Sequence, residues 1–181
     1  MRVITGTARG RKLKSLEGRD TRPTTDMVKE SVFNIIQFDV EGRRFLDLFA
    51  GTGQMGIEAL SRGAKYVTFV DQSKDAAACI RENVKITGFG DFCEIFQADS
   101  LSYISRCGKY DLIFLDPPYG SGLLEKALEK IAEFDILSDG GIIICESSAD
   151  KEFPELREPY CLRKAYRYGK IKISVFGKAE K

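Results

Sequence analysis

The sequence predicts an α/β fold, a mainly parallel sheet with helices on both faces, and three observations predict it. Short apolar runs alternate with segments of helical periodicity between residues 45 and 145, the pattern of consecutive strand–helix units. The glycine-rich turn Gly51-Thr52-Gly53 follows the first apolar run directly, as a strand-to-helix turn does in such units. The last two runs, 158–168 and 170–177, are separated only by a turn at Gly169. That spacing predicts a closing antiparallel hairpin.

Residues 1–14 read as a small basic hairpin around Ala8-Arg9-Gly10, and residues 25–38 as a helix with Val28, Val32, Ile35 and Ile36 on its apolar side. Phe45-Leu46-Asp47-Leu48-Phe49 reads as the first strand. Residues 52–61 follow as a helix ended by Gly63, and Tyr66 to Val70 as the second strand. Ser73 is placed to cap a helix running to Gly88, with Ala77, Ile80 and Val84 on one face. Phe92 to Phe96 and Tyr110 to Leu115 are the third and fourth strands. Leu124, Leu128 and Ile131 mark a helix, and Ile142-Ile143-Ile144-Cys145 a fifth strand. We treat residues 1–181 as one domain, with 1–40 an N-terminal extension and 41–181 the core.

Composition narrows the function. The chain has 181 residues, 43% hydrophobic and 30% charged, ordinary for a soluble globular protein. No apolar run approaches the ~20 residues of a membrane helix, and Met1 to Gly6 lacks the apolar core of a signal peptide. A cytoplasmic protein without membrane contact is expected. The cysteines Cys79, Cys93, Cys107, Cys145 and Cys161 are scattered and histidine is absent. No metal site and no imidazole-dependent nucleophile are therefore expected. Charge is segregated: residues 1–22 carry +5, residues 23–150 carry −9 and residues 151–181 carry +5. Basic ends on an acidic body suggest a polyanionic partner, and Arg9, Arg11 and Lys12 of the hairpin are candidate contacts. Solvated basic tails would show the same pattern.

The turn itself is Asp47-Leu48-Phe49-Ala50-Gly51-Thr52-Gly53-Gln54-Met55-Gly56. Gly51, Gly53 and Gly56 satisfy GxGxxG, and Asp71 ends the second strand 20 residues after Gly51. Alone, this fits a nicotinamide or flavin dinucleotide, or an idle structural turn. Asp47 favours another ligand. A carboxylate in the loop region ahead of the glycines suits a cationic amine and repels a diphosphate. Asp99 after the third strand adds an acceptor for an adenine amino group. Asp47 at the methionine end, Asp71 on ribose and Asp99 on adenine together match S-adenosylmethionine. Phe49, Gln72 and Ser100, beside these positions, complete the candidate set. The segment resembles the Asp-x-x-x-Gly-x-Gly pattern of class I methyltransferases.

The fourth strand ends in Asp116-Pro117-Pro118-Tyr119. Two prolines stiffen this loop and favour extended conformations at Asp116 and Pro117. An exocyclic amine on a base is a poor nucleophile because its lone pair is delocalised into the ring. Two acceptors, the Asp116 carboxylate and the Pro117 carbonyl, can bind its two N–H bonds and aim the lone pair at a sulfonium methyl. Positioning then supplies much of the rate, and Tyr119 offers a stacking face.

These segments resemble the RsmD family of bacterial guanine-N2 methyltransferases of 16S ribosomal RNA. The resemblance covers Arg22-Pro23-Thr24-Thr25-Asp26 with Glu30 to Asn34, Phe45 to Gly53, Gly56 to Ala64, and Tyr110 to Tyr119. It implies a seven-stranded Rossmann-like fold of class I, S-adenosylmethionine as donor, and ribosomal RNA or a small-subunit assembly particle as partner. The implied target is guanine 966, and the chain is expected to act as a monomer. It also implies that Arg22, Pro23 and Thr24 lie near the cofactor or the RNA entrance. Thr52, Gln54 and Met55 replace residues commonly smaller in the family, and Asp71 stands where Glu is frequent. Amino methyltransferases of DNA adenine or of protein share the Asp-Pro-Pro-Tyr motif. A non-catalytic RNA-binding assembly factor is the alternative of another class.

Overall fold

A computed structural model of the chain describes residues 1–16 and 26–179. Its elements are α1 (Asp26–Ile35), β1 (Arg44–Asp47), α2 (Gln54–Ser61), β2 (Tyr66–Asp71), α3 (Lys74–Thr87), β3 (Cys93–Gln97), α4 (Ser100–Ile104), β4 (Tyr110–Leu115), α5 (Leu123–Phe134), β5 (Leu137–Ser148), β6 (Tyr160–Tyr168) and β7 (Ile171–Lys178). The strands form one seven-stranded sheet in the order β3-β2-β1-β4-β5-β7-β6. The first five are parallel to one another, and β7 is antiparallel to β5 and β6. This is the mostly parallel sheet with a C-terminal antiparallel hairpin that the sequence predicts.

The central strands are buried on both faces, which explains their near-continuous apolar runs. Side-chain alternation divides the core. Phe45 of β1, Phe69 of β2 and Phe114 of β4 pack on one face with residues of α1, α2 and α3. Leu46 and Leu48, Val70 and Ile113 face the other way, against α4 and α5. The Ser73 hydroxyl accepts from the Ala76 N–H, and Gly88 ends α3 in the left-handed conformation at φ 79°, both as the sequence indicates.

Several elements differ from expectation. β5 runs from Leu137 to Ser148, well beyond the four-residue apolar run. Its ends are held by pairing: Tyr110 opposes Leu137, and β7 covers Ile143 to Ser148. Helix α4 gives no apolar periodicity because it is only five residues long, and the Asp99 side chain caps it. α1 stops at Ile35 rather than residue 38, although Ile36 remains fully buried.

The N-terminal segment forms a narrow hairpin, bridged in antiparallel fashion at Arg2 and Lys12. The Val3 N–H donates to the Arg11 carbonyl at 3.0 Å, and the Gly10 N–H to the Val3 carbonyl at 2.9 Å. Val3, Ala8 and Leu13 are buried in the same cluster as α1 and α2. A buried carboxylate anchors the hairpin. Glu58 of α2 accepts from the Ile4 and Thr5 N–H groups at 2.8 and 3.0 Å, and from Arg62 Nε at 2.9 Å. Lys29 Nζ lies 3.8 Å from the same carboxylate and donates to the Arg2 carbonyl. Four partners offset the desolvation of a charge with no exposed surface.

Candidate functional site

The strand order reverses between β1 and β4. On one side the connections lead to β2 and β3, on the other to β5, so a crevice opens at the carboxyl ends of the two central strands. The Leu48 N–H donates to the Phe114 carbonyl at 3.2 Å, and Asp47 pairs with Phe114 in the ladder. The glycine turn after β1 and the diproline loop after β4 therefore leave the sheet side by side on the same edge.

The turn is built by Gly51 at φ 55° and Gly53 at φ 77°, both left-handed, with Gly53 capping α2. A Cβ on Gly51 would meet nothing within 4 Å, whereas one on Gly53 would press on Ile80 at 3.1 Å. Gly53 thus packs the turn inward and Gly51 borders open space. Asp71 braces the turn: its Oδ2 accepts the Gly51 N–H at 2.9 Å and its Oδ1 the Ser73 N–H at 2.8 Å.

Asp47 is the last residue of β1, not a loop residue, and is 1% exposed. Its Oδ2 accepts the Gly56 N–H, a first-turn donor of α2, at 3.0 Å. Burial, with a smaller contribution from the charge of Asp71, pushes its carboxyl up to about 7, against the opposing Gly56 hydrogen bond. An ammonium nearby would return it to the ionised form.

Asp99 is exposed and accepts the Ser102 N–H through Oδ1 at 2.8 Å. The hydrogen bonds from Ser102 hold its carboxyl below the usual range. Ser100 departs from expectation: its hydroxyl is buried and donates to the Leu48 carbonyl at 2.6 Å, which ties the start of α4 to the residue that follows β1. Gln72 is exposed and Phe49 half-buried. Carboxylates at the carboxyl ends of β1, β2 and β3, with an unobstructed glycine between them, fit an adenosyl group carrying a cationic amine.

In the diproline loop, Pro117 is buried and Pro118 and Tyr119 are exposed. Ser121 pins the loop, its hydroxyl donating to the Pro118 carbonyl at 2.6 Å. Beside the loop lies a cavity of about 200 Å³ whose lining includes Pro117, Pro118, Tyr119, Glu146, Ser148 and Lys151. Lys151 pairs with Glu125 of α5. The Tyr119 hydroxyl donates to Glu146 Oε1 at 3.4 Å, and Glu146 is 4% exposed.

Of the proposed RNA contacts, Arg9 and Lys12 are exposed on the hairpin, whereas Arg11 Nη1 is engaged with the Ile86 carbonyl at 3.1 Å. Arg22 and Thr24 lie outside the described residues. Sequence reasoning missed Asn83, buried on α3. Its Nδ2 donates to the carbonyls of Lys14 and Thr52 at 3.0 and 2.9 Å, and its Oδ1 accepts the Lys14 N–H at 2.7 Å. One carboxamide so joins the N-terminal segment to the glycine turn. A single polar residue on a helix face carries no signal of that. Glu146 directly follows the apolar run of β5, and its acidity at a strand's carboxyl end was the available signal. Among the described residues no cluster of acidic or thiol side chains could hold a metal, and no helix is long and apolar enough to cross a membrane.

Residues 1–177 match the family model described as "Conserved hypothetical protein 95". The chain is 38% identical to YlbH of Bacillus subtilis (strain 168), provisionally named an rRNA methyltransferase, over 98% of this chain and 99% of that one. It is 36% identical to the Ribosomal RNA small subunit methyltransferase D of Haemophilus influenzae, over 83% of this chain and 80% of the relative. The solved structure of YhhF from Escherichia coli, provisionally named a methyltransferase, superimposes with a TM-score of 0.88 at 27% identity, covering 98% and 97% of the two chains. With its glycine turn and diproline loop side by side on one sheet edge, the chain belongs to this family, that of the small-subunit ribosomal RNA methyltransferases D.

Proposed function

We propose that the protein transfers a methyl group from S-adenosylmethionine to the exocyclic N2 of a guanine in small-subunit ribosomal RNA, the guanine at position 966. The observation that carries this reading is the adjacency of the glycine turn and the Asp116–Tyr119 loop at the strand-order reversal. The names of the relatives supply the substrate class.

Asp47, Asp71 and Asp99 would hold the cofactor, which supplies an electrophilic sulfonium methyl. Asp71 accepts from the ribose hydroxyls while bracing Gly51, and Asp99 accepts from the adenine amine while capping α4. Asp47 balances the ammonium from beneath the turn. Phe49 and Gln72 would complete the cofactor contacts. The Ser100 hydroxyl acts indirectly, by fixing the backbone of the Asp99 corner. At the acceptor side, the Asp116 carboxylate and Pro117 carbonyl take the two N–H bonds of the guanine amine and turn its lone pair toward the methyl. Tyr119 stacks on the ring. A base in folded RNA must be turned out of its stack to enter. The exposed hairpin residues Arg9, Arg11 and Lys12 attract the phosphate backbone, and Arg22 and Thr24 are RNA contacts on the resemblance alone.

Replacing Asp116 by Ala removes a positioning acceptor and no cofactor ligand. Transfer of tritiated methyl to unmodified small-subunit particles should fall by about 10²-fold or more, while calorimetric affinity for the cofactor stays near wild type. Nucleoside mass spectrometry of the wild-type product identifies the methylated atom. Full activity in the variant, or a product other than N2-methylguanosine, contradicts the proposal.

A further inference from the structure

A base amine is also carried by adenine and cytosine, and a diproline loop with two acceptors does not distinguish them. The cavity beside that loop contains a feature that does. Leu115 of β4 pairs with Cys145 of β5, so Asp116, the residue that follows β4, and Glu146 of β5 come next to each other at the same sheet edge. Glu146 is 4% exposed, lines the cavity, and lies at hydrogen-bond distance from the hydroxyl of the proposed stacking residue, Tyr119. Lys151 is in the same lining.

The chemistry of this set is selective. Guanine presents two adjacent donors on its Watson–Crick edge, the N2 amine and N1–H, followed by the O6 acceptor. Adenine and cytosine place a bare ring-nitrogen acceptor next to their amine. Asp116 and Glu146 as carboxylates are acceptors only. A base seated with its amine at Asp116 brings its adjacent ring nitrogen toward Glu146. Guanine then donates N1–H into the carboxylate. Adenine or cytosine would press a lone pair against a buried negative charge, an unpaired arrangement that binding sites reject strongly.

Resting on the guanine-N2 reading above, we infer that Glu146 is the specificity-determining residue of the site, accepting N1–H of the target guanine and excluding bases whose ring nitrogen is an acceptor. Glu146 plays no part in activating the amine. Its loss changes which base is methylated more than how fast an accepted amine reacts.

The test compares small-subunit RNA, assembled from a ligated synthetic segment, that carries guanine or 2-aminopurine at the methylated position. 2-Aminopurine retains the same exocyclic amine but has a bare N1. Wild-type enzyme should prefer guanine by at least about tenfold in kcat/KM, the scale of one charge-assisted hydrogen bond. In Glu146→Gln the amide can present either an acceptor or a donor. That ratio should shrink to less than about threefold, with calorimetric cofactor affinity unchanged as the check on folding. Equal use of the two RNAs by wild type, or an unchanged ratio in a folded Glu146→Gln, overturns the assignment while leaving the methyltransfer reading intact. Wild-type enzyme that methylates neither RNA overturns both.

Discussion

Replacing Asp47 by Asn tests whether the glycine turn is held at a cost that a bound ligand would relieve. The Asp47 carboxyl sits at about 7 instead of its ordinary 3.8, because it is buried beneath the turn and near Asp71. Its folded-state value is raised, so the folded protein holds a proton that the unfolded chain releases. Below about pH 4 the side chain is protonated in both states and contributes nothing. Between about pH 4 and pH 7 the unfolded chain gains ionisation that the folded protein resists, and stability falls as pH rises. Above about pH 7 the full penalty is present. Three pKa units at ~1.4 kcal/mol each set its upper size at about 4 kcal/mol. Asparagine keeps an acceptor for the Gly56 N–H, whose donor lies 3.0 Å from the present carboxylate, and it carries no charge. The cofactor-free variant should therefore match wild type at about pH 4 and exceed it by about 2–4 kcal/mol at about pH 8. The chain has no tryptophan, so urea unfolding is best followed by far-ultraviolet circular dichroism. A gain independent of pH, or a loss at pH 8, refutes the reasoning. If Asp47 balances the cofactor ammonium, the same variant binds S-adenosylmethionine more weakly. Wild-type binding near pH 7 then releases protons, detectable as a dependence of the binding heat on buffer ionisation enthalpy.

Two further outcomes follow from the packing. Gly56→Ala should destabilise the protein by about 1–3 kcal/mol in the same denaturation assay, because the added Cβ would lie 2.3 Å from Phe69 Cε1 and 2.7 Å from Val67 Cγ1; a neutral result would show that the β2 side chains can retreat. Glu58→Ala strands Lys29 and frees the Ile4 and Thr5 N–H groups. A loss of about 3–5 kcal/mol is expected, with faster hydrogen exchange at those two amides; unchanged exchange would mean that hairpin packing alone holds the segment.

The motifs of the candidate site were legible in linear order because they are local. Gly51, Gly53 and Asp71 belong to one strand–turn–helix–strand unit, and Asp116 to Tyr119 are contiguous. Burial on both sheet faces makes the central strands apolar throughout, and α3 carries its own cap at Ser73 and stop at Gly88. Periodicity and turn chemistry report such features directly.

What linear order left open depends on which strands become neighbours. The glycine turn and the diproline loop are more than 60 residues apart in sequence, and the β1–β4 pairing alone brings them together. The same holds for Glu146, placed beside Asp116 by the β4–β5 register, and for Asn83, whose carboxamide reaches backbone groups 31 and 69 residues away. It also settles the division of labour among polar residues at the sheet edge: Asp47 lies beneath the turn and the Ser100 hydroxyl binds a carbonyl, while Asp99 remains exposed. The residue types and turn geometry were thus written in the sequence itself. Strand adjacency and burial were decided only by the tertiary structure, because backbone pairing and desolvation act between segments that share no local signal.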